Sequence, residues 1–205
     1  MASPDEQSGR TTDSEPTRKR LLRAAAELIA ERGFGRVTTR AVAERAGLPH
    51  GAVSYHFRGK RELLTEAALA TIEQAFSREE LEQLPSVADV VRLTAARVTD
   101  LDAVDPVLSD LAIETMLEAR RDPVLRERMA VLTRAFRQLL GELVRSEQAS
   151  GALAAGVSPD ALATLILAAG DGLFLNAMID PALDVTGALE ALLALAKPAR
   201  EDSNL

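Results

Sequence analysis

The sequence predicts an all-α chain of about nine helices, and three observations predict it. Ala and Leu dominate a composition that is 47% apolar but only 3% aromatic, which favours helices over sheets. Apolar residues recur at three- and four-residue spacing, and no stretch alternates apolar with polar as a half-buried strand does. A helix-start signal, usually Ser, Thr or Asp followed by Pro or by an acid three residues on, precedes one apolar run after another. At 205 residues the chain suits one large domain or two small ones. Its pattern divides it into a disordered tail (1–15), a small helical head (16–60) and a helical body (61–205).

The tail is Ser, Thr, Asp, Glu, Gln and Gly with almost nothing to bury. The first helix starts near Pro16 and Thr17 and carries Leu21, Ala25, Leu28, Ile29 and Arg32 at helical spacing. Arg18, Lys19, Arg20 and Arg23 on its first turns suit either a solvated face or DNA phosphates. Gly33 ends it and Phe34 latches the end. A second helix, Thr39 to Ala46, is capped by Thr38 and closed by Gly47, since the residue past a helix often needs a positive φ. Leu48 tucks back, and Pro49 suits the first position of a third helix, where its missing N–H costs nothing. That helix turns Val53 and Phe57 inward. The fourth begins at Gly59 to Arg61 and runs to about Phe76.

Five further helices are expected in the body. Ser86 with Asp89 opens one to about Asp100, Asp105-Pro106 one to Arg120, and Asp122-Pro123 a long one to Ser146. Ser158-Pro159 opens one to Met178. Asp180-Pro181 or Asp184 opens the last, to Ala196. Ala149 to Val157 is the longest clear loop.

Several classes of chemistry are excluded. There is no cysteine, so no disulfide, thiolate metal site or cysteine nucleophile. The only two histidines, His50 and His56, stand in the head, so no Ser–His–acid set fits the body. No HExxH pair and no strand-linked glycine-rich phosphate loop exists. The expectation is no catalysis, no metal and no cofactor. The longest apolar run, Leu162 to Met178, is broken by Asp171 and Asn176 and reads as a buried helix rather than a membrane span. A buried Asp171 would need a partner or a proton. No secretory h-region opens the chain, so a cytoplasmic location is expected.

The net charge of −7 looks wrong for a DNA-binding protein until it is divided. Residues 10–61 carry 12 Lys and Arg against five Asp and Glu, while residues 62–205 carry 12 against 24. Only the basic end approaches phosphates without repulsion.

The stretch Thr38-Thr39-Arg40, Ala43 to Gly47 and Gly51 to Lys60, with His56-Phe57 and Lys60 in place, resembles the DNA-binding domain of the TetR family of transcriptional regulators. The preceding helix, Leu21 to Ala25 and Leu28 to Phe34, matches as well. The resemblance covers about the first third of the chain. It departs from the family pattern at Pro49, where Ser or Thr is usual, at Val53 for Leu, and at Ser54 for Tyr, which implies a different operator sequence. By resemblance, Thr38 and Thr39 bind phosphate and Arg40 reaches a base. His50, Gly51, Ala52, Ser54 and Tyr55 face the major groove, and His56 and Lys60 clamp the backbone.

The body then has two expected tasks. Leu162, Leu165, Ile166, Ala169 and Leu173, with Val185, Leu189, Leu192 and Leu193, form two apolar stripes for a homodimer, and Gly170 and Gly172 allow close helix approach. Phe76, Leu93, Thr94, Arg97, Met116, Met129, Thr133 and Phe136 are candidates for a small-molecule pocket, a use the resemblance implies. The expected function is a homodimeric repressor of a palindromic double-stranded DNA operator, released by a small-molecule effector, with no membrane partner. An activator or a protein-responsive regulator of the same fold stays open, as does a helical scaffold that binds no DNA.

Overall fold

The Thr38 hydroxyl accepts the Ala41 N–H at 3.1 Å, so the second helix opens where its start signal stands. The same logic repeats along the chain in the computed structural model, which describes residues 14–75, 77–100 and 106–198. The elements are α1 (Ser14–Arg36), α2 (Thr39–Arg45), α3 (Gly51–His56), α4 (Lys60–Ala75), α5 (Arg78–Glu82), α6 (Val87–Thr99), α7 (Pro106–Ala119), α8 (Pro123–Ala149), α9 (Pro159–Ile179) and α10 (Val185–Ala196). No strand occurs among the described residues, and the fold is all-α. Ser86 accepts from Asp89 N–H at 3.1 Å, and Ser158 accepts from Ala161 N–H at 3.4 Å. Asp184, not Asp180, opens the last helix, accepting from Gly187 N–H at 2.8 Å. Asp180 instead accepts from Ala182 N–H in the preceding turn.

Two bounds differ from expectation. Helix α1 begins at Ser14, inside the span read as tail; residues 1–13, and the expected cap Asp105, lie outside the described residues. Helix α5 is additional. Its signal, Ser77 with Glu80 three residues on, was in the sequence, and Ser77 accepts from Glu80 N–H. Five residues with Leu81 as their one buried anchor are too few to show a period.

The helices gather into two compact units. One holds α1 to α4, α7 and the first turns of α8; the other holds α5, α6, the rest of α8, α9 and α10. This grouping places α4 and α7 with α1 to α3. The reason is burial: α1 is too apolar to be covered by α2 and α3 alone, and α4 and α7 pack along it. Leu21, Leu28, Ile29, Leu63 and Leu111 are fully buried there. Each fully buried Leu or Ile contributes about 1.5–3 kcal/mol. The second unit has its own core around Val87, Val91, Val144, Ala163 and Leu189. Glu147 of α8 accepts the free Val87 N–H at the start of α6, at 2.9 Å.

Asp122 joins α4 to the start of α8. Its carboxylate accepts from Val124 and Leu125 N–H at 2.9 and 3.2 Å and so caps α8. Arg61, in the first turn of α4, grips the same carboxylate through both Nε and Nη2. The Arg61 hydrogen bond, aided by the two N–H groups and opposed by desolvation, holds the Asp122 pKa below the usual carboxylate range. A depressed carboxylate stabilises the fold above its unfolded pKa, and that stability is lost as pH falls through the folded value. Asp122→Asn keeps a capping oxygen and loses the charge that Arg61 holds, so it is expected to cost about 0.2–1 kcal/mol at neutral pH. Urea titrations should show its deficit against the natural chain shrinking below about pH 4.

Candidate nucleic-acid interface

The turn between α2 and α3 is built by hydrogen bonds at the end of α2. Gly47 has φ of 64°, Leu48 N–H reaches back to Ala43 O at 2.9 Å, and Gly47 N–H reaches Glu44 O at 3.0 Å. This six-to-one and five-to-two pair closes the helix and needs the left-handed residue that glycine supplies without strain. Ala52 N–H bonds Pro49 O at 2.9 Å, so the first turn of α3 starts at the proline. Val42, Ala43, Ala46, Val53 and Phe57 are buried, which fixes which faces of α2 and α3 look outward.

Arginines of the head hold this geometry. Arg20 donates to Ala46 O at 2.6 Å, satisfying a carbonyl at the exposed end of α2. Arg45 on α2 forks onto Glu31 of α1 at 2.7 and 2.8 Å and also reaches Glu27. These bonds raise the Arg45 pKa above its ordinary value, and the Arg45 hydrogen bond lowers that of Glu31. Arg18 pairs with Glu66 and lies over the Phe57 ring, 5.4 Å from its centroid. Arg18 and Arg20, either of which suited phosphate from sequence, are thus engaged inside the head. Gly33 marks the end of regular α1, with φ 71° and ψ 158°, and Phe34 beyond it is buried as a latch.

The expected DNA contacts all lie at the surface. Thr38, Arg40, His50, Gly51, Ser54, Tyr55 and Lys60 are exposed, while Thr39, Ala52 and His56 are half-buried. Tyr55 is 81% exposed, with the His56 ring edge-on at 5.0 Å. Among the described residues this large aromatic, held in water by the helix, has only that neighbouring ring beside it. Thr38 spends an acceptor lone pair on its cap and keeps its O–H to donate. Arg40 lies along α2 against Glu44, Nε to Oε1 at 2.9 Å, and Lys60 donates to Gly35 O at 2.9 Å. An exposed i,i+4 pair contributes only about 0.3–0.5 kcal/mol, so Arg40 opens readily toward a stronger acceptor. Arg58 was missed: it is exposed between His56 and Lys60, while its backbone N–H is held by Glu62 at 2.8 Å. Its signal was simply a third basic or imidazole residue within five positions.

The residues expected at a dimer interface divide. Leu162, Ile166, Val185 and Leu189 are at most 6% exposed and belong to the core of their own unit. The apolar period of α9 gave these residues one stripe, and only packing divides it into covered and outward positions. Leu165 is 56% exposed, and Ala169, Leu173, Leu192 and Leu193 are half-buried. Gly170 does permit close approach, because a Cβ there would stand 3.2 Å from Thr94 Cγ2 of α6; at Gly172 it would meet nothing. Asp171 and Asn176 are exposed rather than buried. Asn176 donates to Gly172 O at 2.7 Å, and the protein around Asp171 raises its pKa by desolvation.

The pocket candidates divide too. Met116 and Met129 belong to the first unit, and Leu93, Thr94, Arg97, Thr133 and Phe136 to the second. Met116 and Thr133 are exposed; Thr94 bonds Val90 O in its own helix, and Arg97 pairs with Glu80 at 2.6 Å. Leu93 is half-buried, and Phe76 lies outside the described residues. Phe136 alone lines the cavity that the second unit does contain, about 220 Å³ between α5, α6 and α8. Leu81, Leu84, Val90, Leu140 and Leu143 form its wall, with Glu82 and Glu142.

Residues 21–67, which span α2 and α3, match the family model for bacterial regulatory proteins of the tetR family. Residues 85–197, more than half of the chain, match the C-terminal model of BetI-type transcriptional repressors. The chain belongs to the TetR family. It is similar to the HTH-type transcriptional regulator SrpR of Pseudomonas putida, 30% identical over 143 residues. That match covers 69% of this chain and 65% of SrpR, slightly under two thirds of the relative's length. UidR of Escherichia coli K12 is 23% identical over 76% of this chain and 79% of its own. Among solved structures, a SmeT–triclosan complex superposes with a TM-score of 0.72 at 26% identity, covering 90% of this chain and 93% of that one. A transcriptional regulator from Saccharomonospora viridis in complex with choline gives 0.68 at 25%, covering 88% and 95%. As a TetR-family member the protein is a DNA-binding transcriptional regulator, not an enzyme.

Proposed function

We propose that the protein is a homodimeric repressor that binds a palindromic operator in double-stranded DNA and leaves it when a small molecule enters the α5–α10 unit. The exposure of Tyr55, on a helix flanked by Arg40, Arg58 and Lys60, carries the DNA half of this reading. By the family pattern Thr38 and Thr39 hold phosphate, Arg40 and the outer face of α3 read bases, and His56 and Lys60 clamp the backbone. The triclosan and choline complexes of the two solved relatives support a small organic effector. The work is cytoplasmic and involves no membrane.

A second copy is required because one six-residue helix reads only a few base pairs. The surface for it is the outer stripe of α9: Ala161, Leu165, Ala168, Gly172, Leu175 and Ile179, spaced by fours and threes. Leu165, Leu175 and Ile179 are 56%, 44% and 85% exposed, and Leu195 of α10 is 84% exposed. Helix α9 is long and apolar enough to cross a membrane by length and composition, yet this stripe equally suits a symmetry mate. A contiguous apolar face of this kind marks an interaction site. Adjacent major-groove half-sites stand about 34–36 Å apart, so an effector that changes the separation of the two α3 helices removes the protein from DNA.

Gel-shift titrations on operator fragments test the reading. Lys60→Ala should weaken every sequence alike and flatten the dependence on salt by about one unit of slope, whereas Arg40→Ala should relax preference at one base pair. Equal losses across an operator panel would contradict these roles, and binding indifferent to dyad symmetry would contradict the dimer. Derepression in a deletion strain separates a repressor from an activator.

A further inference from the structure

The cavity of the second unit has a charge as well as a size. Its wall is apolar, and the two charged residues lining it, Glu82 and Glu142, are both acids; among the described residues no Lys, Arg or His lines it. Glu82 is engaged, its Oε1 2.5 Å from Arg78 Nε one turn earlier on α5. The Arg78 pKa is raised, by this hydrogen bond first, with Glu142 adding to the field. Glu142 itself makes no hydrogen bond or ion pair among the described residues. One arginine therefore faces two carboxylates, and one negative charge is left over at the cavity. Both acids are exposed, so a charged group beside them keeps part of its hydration, while Phe136, Leu140 and Val90 surround the interior.

We propose that this cavity takes a small apolar monocation, an amine or quaternary ammonium whose hydrocarbon part enters among Phe136, Leu140 and Leu143 and whose charge stays at Glu142. The volume of about 220 Å³ is below the roughly 300–1,000 Å³ of drug-sized sites and admits one aromatic ring with a short ammonium arm. A neutral hydrocarbon gains the same apolar burial but nothing from Glu142. An anion of the same shape is repelled by the surplus carboxylate. This assignment rests on the reading of the α5–α10 unit as the effector-binding part of a repressor, and it names the chemical class of effector.

The test is isothermal titration of the full chain with benzyltrimethylammonium, neutral benzyl alcohol and anionic phenylacetate. The cation should bind at least about ten-fold more tightly than the anion, with the alcohol between them. Glu142→Gln, an exposed and nearly isosteric change, should erase most of the cation's advantage and leave the alcohol unaffected. An anion bound as well as the cation, an unchanged preference in Glu142→Gln, or no binding of any probe would overturn the assignment. Operator binding without probe, measured on the same preparation, keeps the two readings apart. If the operator is bound and the cation preference is absent, only the ligand class fails. If no operator is bound, the repressor reading fails whatever the probes do.

Discussion

Replacing Tyr55 with alanine should lower operator affinity by about 10- to 100-fold, corresponding to roughly 1–3 kcal/mol for a lost groove contact. The fold should not notice. Tyr55 is 81% exposed, and among the described residues its only ring neighbour is the adjacent His56. Surface changes of this kind stay within about 0.5 kcal/mol, a thermal-midpoint shift of a degree or two for a chain of this size. The expected pattern is therefore a large loss in fluorescence-anisotropy titrations against the operator beside an unchanged melting curve. Unchanged affinity would remove Tyr55 from the groove. A large fall in melting temperature would mean that the ring supports the turn instead. Ser54→Ala, one residue earlier on α3 and also exposed, offers a smaller side chain and should cost less.

The second large effect is expected on α9. Leu165→Asp with Ile179→Asp places two carboxylates on the outer stripe, and a two-fold axis enters each of them twice. Burying an unpaired carboxylate costs several kcal/mol, so the doubly substituted chain should sediment as a monomer. Neither side chain belongs to the core of its own unit, being 56% and 85% exposed, so helical circular dichroism should be retained. Affinity for a palindromic operator should fall to that of a single half-site. A variant that stays dimeric would move the interface away from this stripe. The contrasting substitution, Leu189→Ala, acts on a residue 1% exposed within the chain. It should cost about 2–5 kcal/mol of folding stability whether or not a partner is present.

The comparison of these leucines shows where sequence reading stops. The period of α9 placed Leu162, Leu165 and Ile166 together on one apolar stripe. Leu162 and Ile166 pack inward against α6 and α10 while Leu165 looks out. A one-dimensional pattern counts apolar positions but does not say which neighbour covers each. The pocket suffered in the same way. Met116, Arg97 and Phe136 share a plausible composition, yet one is exposed on α7, one is paired with Glu80, and only the last lines a cavity.

The sequence by itself determined most of the helices and their caps, because those depend on local terms; the short α5 is the exception, having too few residues to show a period. Thr38, Gly47, Ser86, Ser158 and Asp184 act through backbone groups within five residues of themselves. It also determined the outward face of α3, because Val53 and Phe57 leave only one side for the core. Tertiary structure alone decided which cations remain for DNA: Arg18 and Arg20 are drawn to Glu66, Phe57 and Ala46, residues 26 or more positions away. It alone decided that α4 and α7 enclose α1, that Asp122 ties α4 to α8, and which acid at the cavity keeps an uncompensated charge. Those outcomes depend on which surfaces meet when the chain closes on itself, and spacing along the sequence carries no record of that.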